Sequence, residues 1–592
     1  MSTKHFFADA PSLVIQHLTA LVEANPALRL IADDRVVYDP AHDPSTLSIV
    51  SGGGSGHEPA WSGLVGKGLL AAAVNGPIFG SPSAKQVVTG IESVPSDKGS
   101  IIVITNYTGD RLHFGLALEK VRAKYPGKQF AILAATDDVA LGRKRTGAVG
   151  RRGLAGNILV LKVLGGAAAA GVSFDKAVAV GTAINANTVT IGSSLDHCHV
   201  PGRQNHETLP DDVLILGMGI HNEPGLRKLS PLPTIQELLS EMVRYLVDPN
   251  DEERAYVKFD KGDDVVLLIN NFGGLSALET GAITYQTLDV LKKEWDIAPI
   301  RVFSDSFESS LNGPGFSATL LNLTKAAAEL GVPTAEVIAY LDAPTTAPSF
   351  PKPYRASSAA SVNGTSNGVA KETTSAAEVD RPDFTADSKL IESMLRKACT
   401  RAIDSEPSLT KWDMIMGDGD CGDGVKAVST AILKLLDAKP VSNSILGALE
   451  LVGEAVDDMG GTLGAIFGIL VAALATAVTR RATAGKLEMT PAIWGECAHE
   501  ALASLMTHTA AREGDRTVMD VLIPFCNSLY KSKDLATAVQ AAKNAAEGTW
   551  DMKPKFGRAT YVTGGDDDGR IPPDPGAWAV YEMVEGLLEG SA

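Results

Sequence analysis

The chain has 592 residues, 45% of them hydrophobic, and a formal net charge of −17. That length is too great for one core and implies two to four domains. The acidic balance excludes nucleic acid or an anionic membrane as the main partner, since both need basic patches.

The first 340 or so residues alternate short β-rich runs (47–50, 100–104, 130–133, 265–269) with longer helical patterns (112–123, 275–292). This alternation predicts an α/β domain with binding loops at strand C-termini. We place it at 1–343, in two lobes dividing near residue 200. Three loops after predicted strands carry candidate chemistry. Gly52-Gly53-Gly54-Ser55-Gly56-His57 has enough glycine for backbone to approach a small ligand, with His57 placed as a general acid or base. Asn106-Tyr107-Thr108-Gly109-Asp110 offers a carboxylate that can take a hydroxyl proton or cap the next helix. Gly219-Ile220-His221-Asn222-Glu223-Pro224-Gly225 places an imidazole at a strand end, a nucleophile toward a carbonyl if its other nitrogen is held.

Residues 344–384 are rich in Pro, Ser, Thr and Ala and read as an exposed linker. Beyond it, Leu390, Ile391, Met394, Leu395 and Ala398 fall on one helical face, and further helical runs follow. An all-α domain is expected over 385–592. One run, 463–478, is apolar but short for a membrane span, and a close-packed buried helix is expected there.

The helical domain holds Asp413, Asp418 and Asp420 within a glycine-rich turn. Carboxylates this close repel one another unless a cation neutralises them, and hard oxygen ligands suit Mg²⁺. Gly417-Asp418-Gly419-Asp420-Cys421-Gly422 also fits a dinucleotide fingerprint. Two carboxylates facing a pyrophosphate without a metal, and no surrounding strand–helix–strand unit, exclude that reading. No P-loop occurs. Gly460-Gly461-Thr462-Leu463-Gly464 opens a helix whose N-terminus suits a phosphate. Arg516 and Asp574-Pro575-Gly576 either reach a nucleotide or merely cap helices.

Five scattered cysteines, with no Cys-x-x-Cys pair, point to reduced thiols and a cytoplasmic protein. The first residues lack the pattern of a signal peptide.

Taken together, Gly-Gly-Gly-Ser-Gly-His-Glu-Pro, Asn-Tyr-Thr-Gly-Asp, Gly-Ile-His-x-Glu-Pro-Gly and Gly-Asp-Gly-Asp-Cys-Gly, in this order, resemble the single-chain ATP-dependent dihydroxyacetone (glycerone) kinases. The resemblance implies a ketone held as a hemiaminal on His221, with Gly54, Ser55, Gly56 and His57 around the substrate. It makes Asp110, with His57, the base. It implies an α-helical barrel with two Mg²⁺ ions on Asp413, Asp418 and Asp420. ATP contacts fall on Asp420, Cys421, Gly422, Asp423, Thr462, Leu463, Arg516, Asp574, Pro575 and Gly576. Two positions depart from the pattern: Thr105 stands where the family commonly has Lys, and residues 565–573 differ from the usual loop before Asp-Pro-Gly.

The expected activity is phosphoryl transfer from ATP to dihydroxyacetone, with D-glyceraldehyde as a second acceptor. A homodimer is expected, since docking of one subunit's helical domain onto another's substrate domain would require one. The competing readings are an additional FAD-AMP lyase (FMN cyclase) activity and a non-catalytic triose sensor. The joint presence of His57, Asp110, His221 and the aspartates argues against the sensor.

Overall fold

The structure is a computed structural model that describes residues 4–7, 10–144, 150–203, 208–351, 354–355, 383–416, 419–439, 441–457, 459, 461–482, 489–550, 552–555 and 570–592. It divides into two compact units, 1–364 and 365–592.

The first unit contains two sheets. One is six-stranded: β1 (Arg29–Ile31), β2 (Val36–Tyr38), β3 (Ser48–Ser55), β4 (Ala72–Ile78), β5 (Ser100–Thr105) and β6 (Phe130–Ala135), in the order β1-β2-β4-β3-β5-β6. Its central strands β4, β3, β5 and β6 are parallel, and β1 and β2 add an antiparallel edge. The second sheet comprises β7 (Thr188–Ser194), β8 (Leu214–Leu216), β9 (Arg227–Leu229), β10 (Val265–Asn271), β11 (Arg301–Asp305), β12 (Gly315–Asn322) and β13 (Tyr354–Arg355), ordered β13-β11-β10-β12-β7-β8-β9. Only β10 and β11 run parallel in it. The helix Gly156–Ala169 lies in contact with strands of both sheets and is buried along nearly its whole length. It is mostly Ile, Leu, Val, Gly and Ala, as a helix covered on all sides requires, and its buried Lys162 is satisfied by the Ala343 carbonyl at 2.7 Å.

The start of the stretch read as a linker does not behave as one. Ala347 and Phe350 are buried in the first unit's core, and the Ser349 amide donates to the Gly63 carbonyl at 3.0 Å. Gly63, Gly66 and Gly68 supply the room: a Cβ there would meet Ser349, Ala347 and Pro344 respectively. Composition says a segment is poor in core residues, but not that another part of the chain has been left bare to receive it. Residues 356–382 lie outside the described residues.

In the second unit, the helices Ser388–Met416, Cys421–Ala438, Ile445–Asp457, Gly461–Ala482, Pro491–Leu505, Met519–Ser532, Leu535–Gly548 and Pro575–Gly590 form a ring. Each packs on the next, and the last packs on the first. Gly586 and Gly590 make that closure close: a Cβ on Gly586 would lie 2.5 Å from the Ala398 Cα, and one on Gly590 would strike Met394. No strand occurs here among the described residues. The apolar helix expected to be buried is only partly so. Among the described residues it alone is long and apolar enough to cross a membrane, and 22% of its apolar window is buried. A helix in a ring is covered by two neighbours rather than enclosed, so much of its surface stays half-exposed.

Candidate active site

In the first unit two histidines meet. β3 runs into the loop that carries His57, and a turn after β8 carries His221. His57 Nδ1 lies 2.7 Å from the Ser309 carbonyl, which can only accept, so Nδ1 holds the proton and Nε2 the lone pair. His57 Nε2 is 3.0 Å from His221 Nε2. His221 Nδ1 is in turn 2.9 Å from Glu223 Oε1, and the His221 amide donates to Glu223 Oε2 at 2.9 Å. The carboxylate fixes the His221 proton on Nδ1, so with both rings neutral the two Nε2 lone pairs meet at 3.0 Å, and His221 Nε2 is reached by an electrophile only when that electrophile enters between the rings. Burial, then the neighbouring His221, push His57 down to about 3, so it stays a neutral base at ordinary pH. Burial would raise Glu223, but the hydrogen bonds and charge of His221, and then the Arg152 guanidinium, outweigh it and bring the group to about 2. Arg152 is itself pinned by Asp138, with Nε–Oδ2 2.7 Å, and by the Gly217 carbonyl at 2.9 Å.

Asp110 sits in the first turn of the helix Thr108–Lys124 and is 5% exposed. Burial raises its pKa, while the Ser81 hydroxyl, the His221 charge and the Thr105 hydroxyl oppose the rise. Its Oδ1 is buried without a hydrogen-bond partner among the described residues, an acceptor that a substrate hydroxyl would satisfy.

The glycine loop is closely packed on the protein. A Cβ on Gly52 would strike Val74, and one on Gly53 would come 2.8 Å from Trp61 Nε1. At Gly54 the obstacle is Phe79 and Gly80 backbone at 2.9 Å, and at Gly56 the Phe79 ring at 2.8 Å. The glycines make space for protein neighbours. Ser55, expected at the substrate, donates to the Gly76 carbonyl at 2.8 Å. Sequence reasoning assigned no role to Glu223, although it lay inside a quoted motif, and missed Phe79, Tyr107 and Ser309. The rings of Phe79 and Tyr107 stand edge-on to His221 at 5.1 and 4.7 Å between centroids. Ser309 acts through a main-chain carbonyl, which no side-chain pattern announces.

In the second unit several helix N-termini converge. Asp413 Oδ2 accepts the Cys421 amide at 3.0 Å, where the helix Cys421–Ala438 begins, with Asp420 at its cap and Asp423 in its first turn. Gly422 packs against Thr410, where a Cβ would clash. Leu463, near the start of Gly461–Ala482, lies 3.7 Å from the Cβ position of Gly576, near the start of Pro575–Gly590. Thr462 is exposed at the same helix end. Asp574 caps the helix opened by Pro575, its Oδ1 accepting the Ala577 amide at 2.8 Å. Arg516 is buried, donates to the Pro572 carbonyl at 2.8 Å and stands 3.9 Å from Asp574 Oδ2. Burial pushes Cys421 up to about 12, with the charges of Asp413, Asp574 and Asp420 adding. Burial raises Asp574 to about 6; Arg516 opposes, while Asp520 and Asp413 reinforce the rise.

Negative charge thus gathers at helix ends whose dipoles favour anions. Asp413 and Asp420 are hard oxygen donors suited to a divalent cation, which would let anionic phosphates approach these carboxylates. Asp418, expected as the third ligand, lies outside the described residues, as do positions 565–569 of the atypical loop. Among the described residues no group of three His, Cys, Asp or Glu side chains is arranged to hold a metal.

The chain matches the Dak1 domain over residues 19–349 and the DAK2 domain over residues 415–589. It is 41% identical to a dihydroxyacetone kinase of Pichia angusta, across 100% of this chain and 98% of that one. It is 31% identical to the triokinase/FMN cyclase of Homo sapiens, across 100% and 99%. The crystal structure of the dihydroxyacetone kinase from C. freundii in complex with AMP-PNP and Mg²⁺ superposes with a TM-score of 0.62 at 28% identity, covering 99% of this chain and 100% of that one.

Proposed function

Because this chain belongs to the dihydroxyacetone kinase family, and is an ATP-dependent glycerone kinase of the form that joins both domains in one polypeptide, we propose that it holds dihydroxyacetone covalently on His221 while phosphorylating it. The observation that carries this reading is the Glu223 carboxylate 2.9 Å from His221 Nδ1, which leaves Nε2 as the ring nitrogen without a proton; a carbonyl entering between Nε2 and His57, 3.0 Å apart, would meet it.

In this mechanism His221 Nε2 bonds to the carbonyl carbon. The π electrons move to oxygen, which takes a proton from water, and the product is a hemiaminal on an imidazolium whose Nδ1–H still donates to Glu223. Glu223 stabilises the positive charge that grows on the imidazole. Glycerol has no carbonyl and is rejected by chemistry rather than by fit, a discrimination that a small polar pocket achieves poorly by shape alone. Asp110 or His57 takes the proton of a terminal hydroxyl as its oxygen attacks the γ-phosphorus and ADP leaves. Asp413, Asp418 and Asp420 would hold Mg²⁺, in two ions on this reading, and the metal would offset the triphosphate charge. The N-termini at Cys421, Gly461 and Pro575 orient the phosphates. Thr105 places a hydroxyl beside Asp110 where the family commonly carries an ammonium, so a substrate contact from that side is given up.

An aldehyde forms the same adduct, so D-glyceraldehyde is a second acceptor in this reading. The setting is a cytoplasmic homodimer, in keeping with five cysteines that are all free. The triokinase/FMN cyclase name of the human relative favours a second activity of the helical unit, cleavage of FAD to cyclic FMN and AMP. Incubation with FAD and Mn²⁺ without triose tests that activity. The main reading is tested by intact-protein mass after mixing with dihydroxyacetone. Wild type should gain one triose, and His221→Ala none; an equal gain in both contradicts the covalent assignment.

A further inference from the structure

We propose that Phe79 sets the upper size of the carbonyl compound that can reach His221, and that two glycines of the loop make room for it, Gly54 for its backbone and Gly56 for its ring. The proposal rests on the covalent reading above and goes beyond it, to the specificity of the same site.

Phe79 follows β4 with φ at 58°, a left-handed conformation that a bulky side chain rarely adopts. Its amide donates to the Ser55 carbonyl at 2.9 Å, which ties it to the end of β3. Its ring stacks on His57 at 5.1 Å between centroids and 22° between planes, and meets His221 edge-on at 5.1 Å and 88°. Both glycines flanking Ser55 are shaped to it. A Cβ on Gly54 would lie 2.9 Å from the Phe79 Cα, and one on Gly56 2.8 Å from its Cε1. The Tyr107 ring faces His221 at 4.7 Å. The reactive imidazole is therefore walled by three rings, and two of them, His57 and Tyr107, come from elements fixed by the site itself.

Phe79 has no polar atom, so its ring can do no proton or bonding chemistry. Held on a strained turn and packed against both histidines, it takes up space that a larger carbonyl substituent would need. A three-carbon ketone needs room only for two hydroxymethyl arms. A fourth carbon on either arm extends the ligand into a phenyl wall that cannot back away, because the backbone behind it is fixed by the Ser55 contact and the glycine positions.

The test uses the full chain and two variants, Phe79→Ala and Phe79→Gly; glycine keeps the left-handed turn without steric cost and so guards against misfolding. Phosphorylation of dihydroxyacetone and of the four-carbon hydroxyketone L-erythrulose is measured for each protein. Adduct mass is also recorded with each ketone in the absence of ATP. The expected result is a rise of about tenfold or more in the ratio of kcat/KM, four-carbon over three-carbon, in both variants, roughly the discrimination one or two methylene-sized contacts provide. A new erythrulose adduct should appear as well. A ratio within about twofold of wild type in both variants, with the dihydroxyacetone adduct still forming, overturns the role of Phe79 and leaves the covalent reading intact. Absence of any dihydroxyacetone adduct in wild type overturns both.

Discussion

At His221 one proton decides whether the imidazole is a nucleophile. Glu223 holds that proton on Nδ1 and stays ionised because its pKa is drawn down to about 2 against the pull of burial. Glu223→Gln keeps the shape but no longer dictates the tautomer. We expect kcat/KM for dihydroxyacetone to fall roughly 10²–10⁴-fold, the range for a misplaced proton, with ATP binding unchanged; steady-state rates and nucleotide titration read the two. Asp110 poses the opposite problem. Burial holds its carboxyl above the ordinary value. Below its unfolded pKa the folded and unfolded states are protonated alike, and the native state is at its best. As pH rises through the folded pKa, the native state must ionise a buried group and stability is lost. Asp110→Asn removes that cost. The variant should be more stable than wild type at pH 7, seen as a higher denaturant midpoint, and nearly inactive. A lower midpoint at pH 7 would show that the ionised carboxylate is well satisfied where it stands.

Closure of the helical ring depends on glycines that carry no chemistry. A Cβ on Gly586 would lie 2.5 Å from the Ala398 Cα and 2.6 Å from its amide nitrogen, so the clash is with backbone that cannot rotate aside. Gly586→Val should separate the first helix from the last and destabilise the unit by at least about 1–3 kcal/mol, the usual scale for overpacking. Thermal melting should show an early transition with nucleotide binding lost, while the dihydroxyacetone adduct still forms in the first unit. The same residues show what could be read in advance. The α/β alternation and the helical periodicity are local patterns, and both units have the predicted class. The strand-end motifs with His57, Asp110 and His221 were visible because loops at strand C-termini in α/β sheets are where binding groups stand. Gly586, by contrast, reads as a weak spot in a helix until its partner nearly two hundred positions earlier is known. Gly63, Gly66 and Gly68 likewise became meaningful only once residues 344–350 were seen lying on them. Ser309 contributes a carbonyl that every residue has. Non-local packing and main-chain contacts leave no mark in composition or spacing.

The two units have separate cores, one centred on buried aliphatic and aromatic side chains between sheets and the other within the helical ring, and the proposed reading assigns one half of the chemistry to each. Separate cores imply that damage to one half-reaction should leave the other readable. Asp420 suits this test because it is exposed and caps its helix without a side-chain hydrogen bond, so changing it disturbs little of the fold. In Asp420→Asn the charge that would hold the cation is reduced by one, while the shape is retained. Mg²⁺-dependent affinity for ATP should fall roughly tenfold or more, at least about 1.4 kcal/mol, and turnover should fall with it. The dihydroxyacetone adduct should form to the wild-type extent. Chelation of Mg²⁺ from wild type should reproduce that pattern, and His221→Ala should give its mirror image, with ATP bound and no adduct. An Asp420→Asn protein that binds ATP normally with Mg²⁺ would move the metal away from this helix end. One that also lost the adduct would mean that the carbonyl site depends on the state of the helical ring, and that the halves cannot be treated as independent.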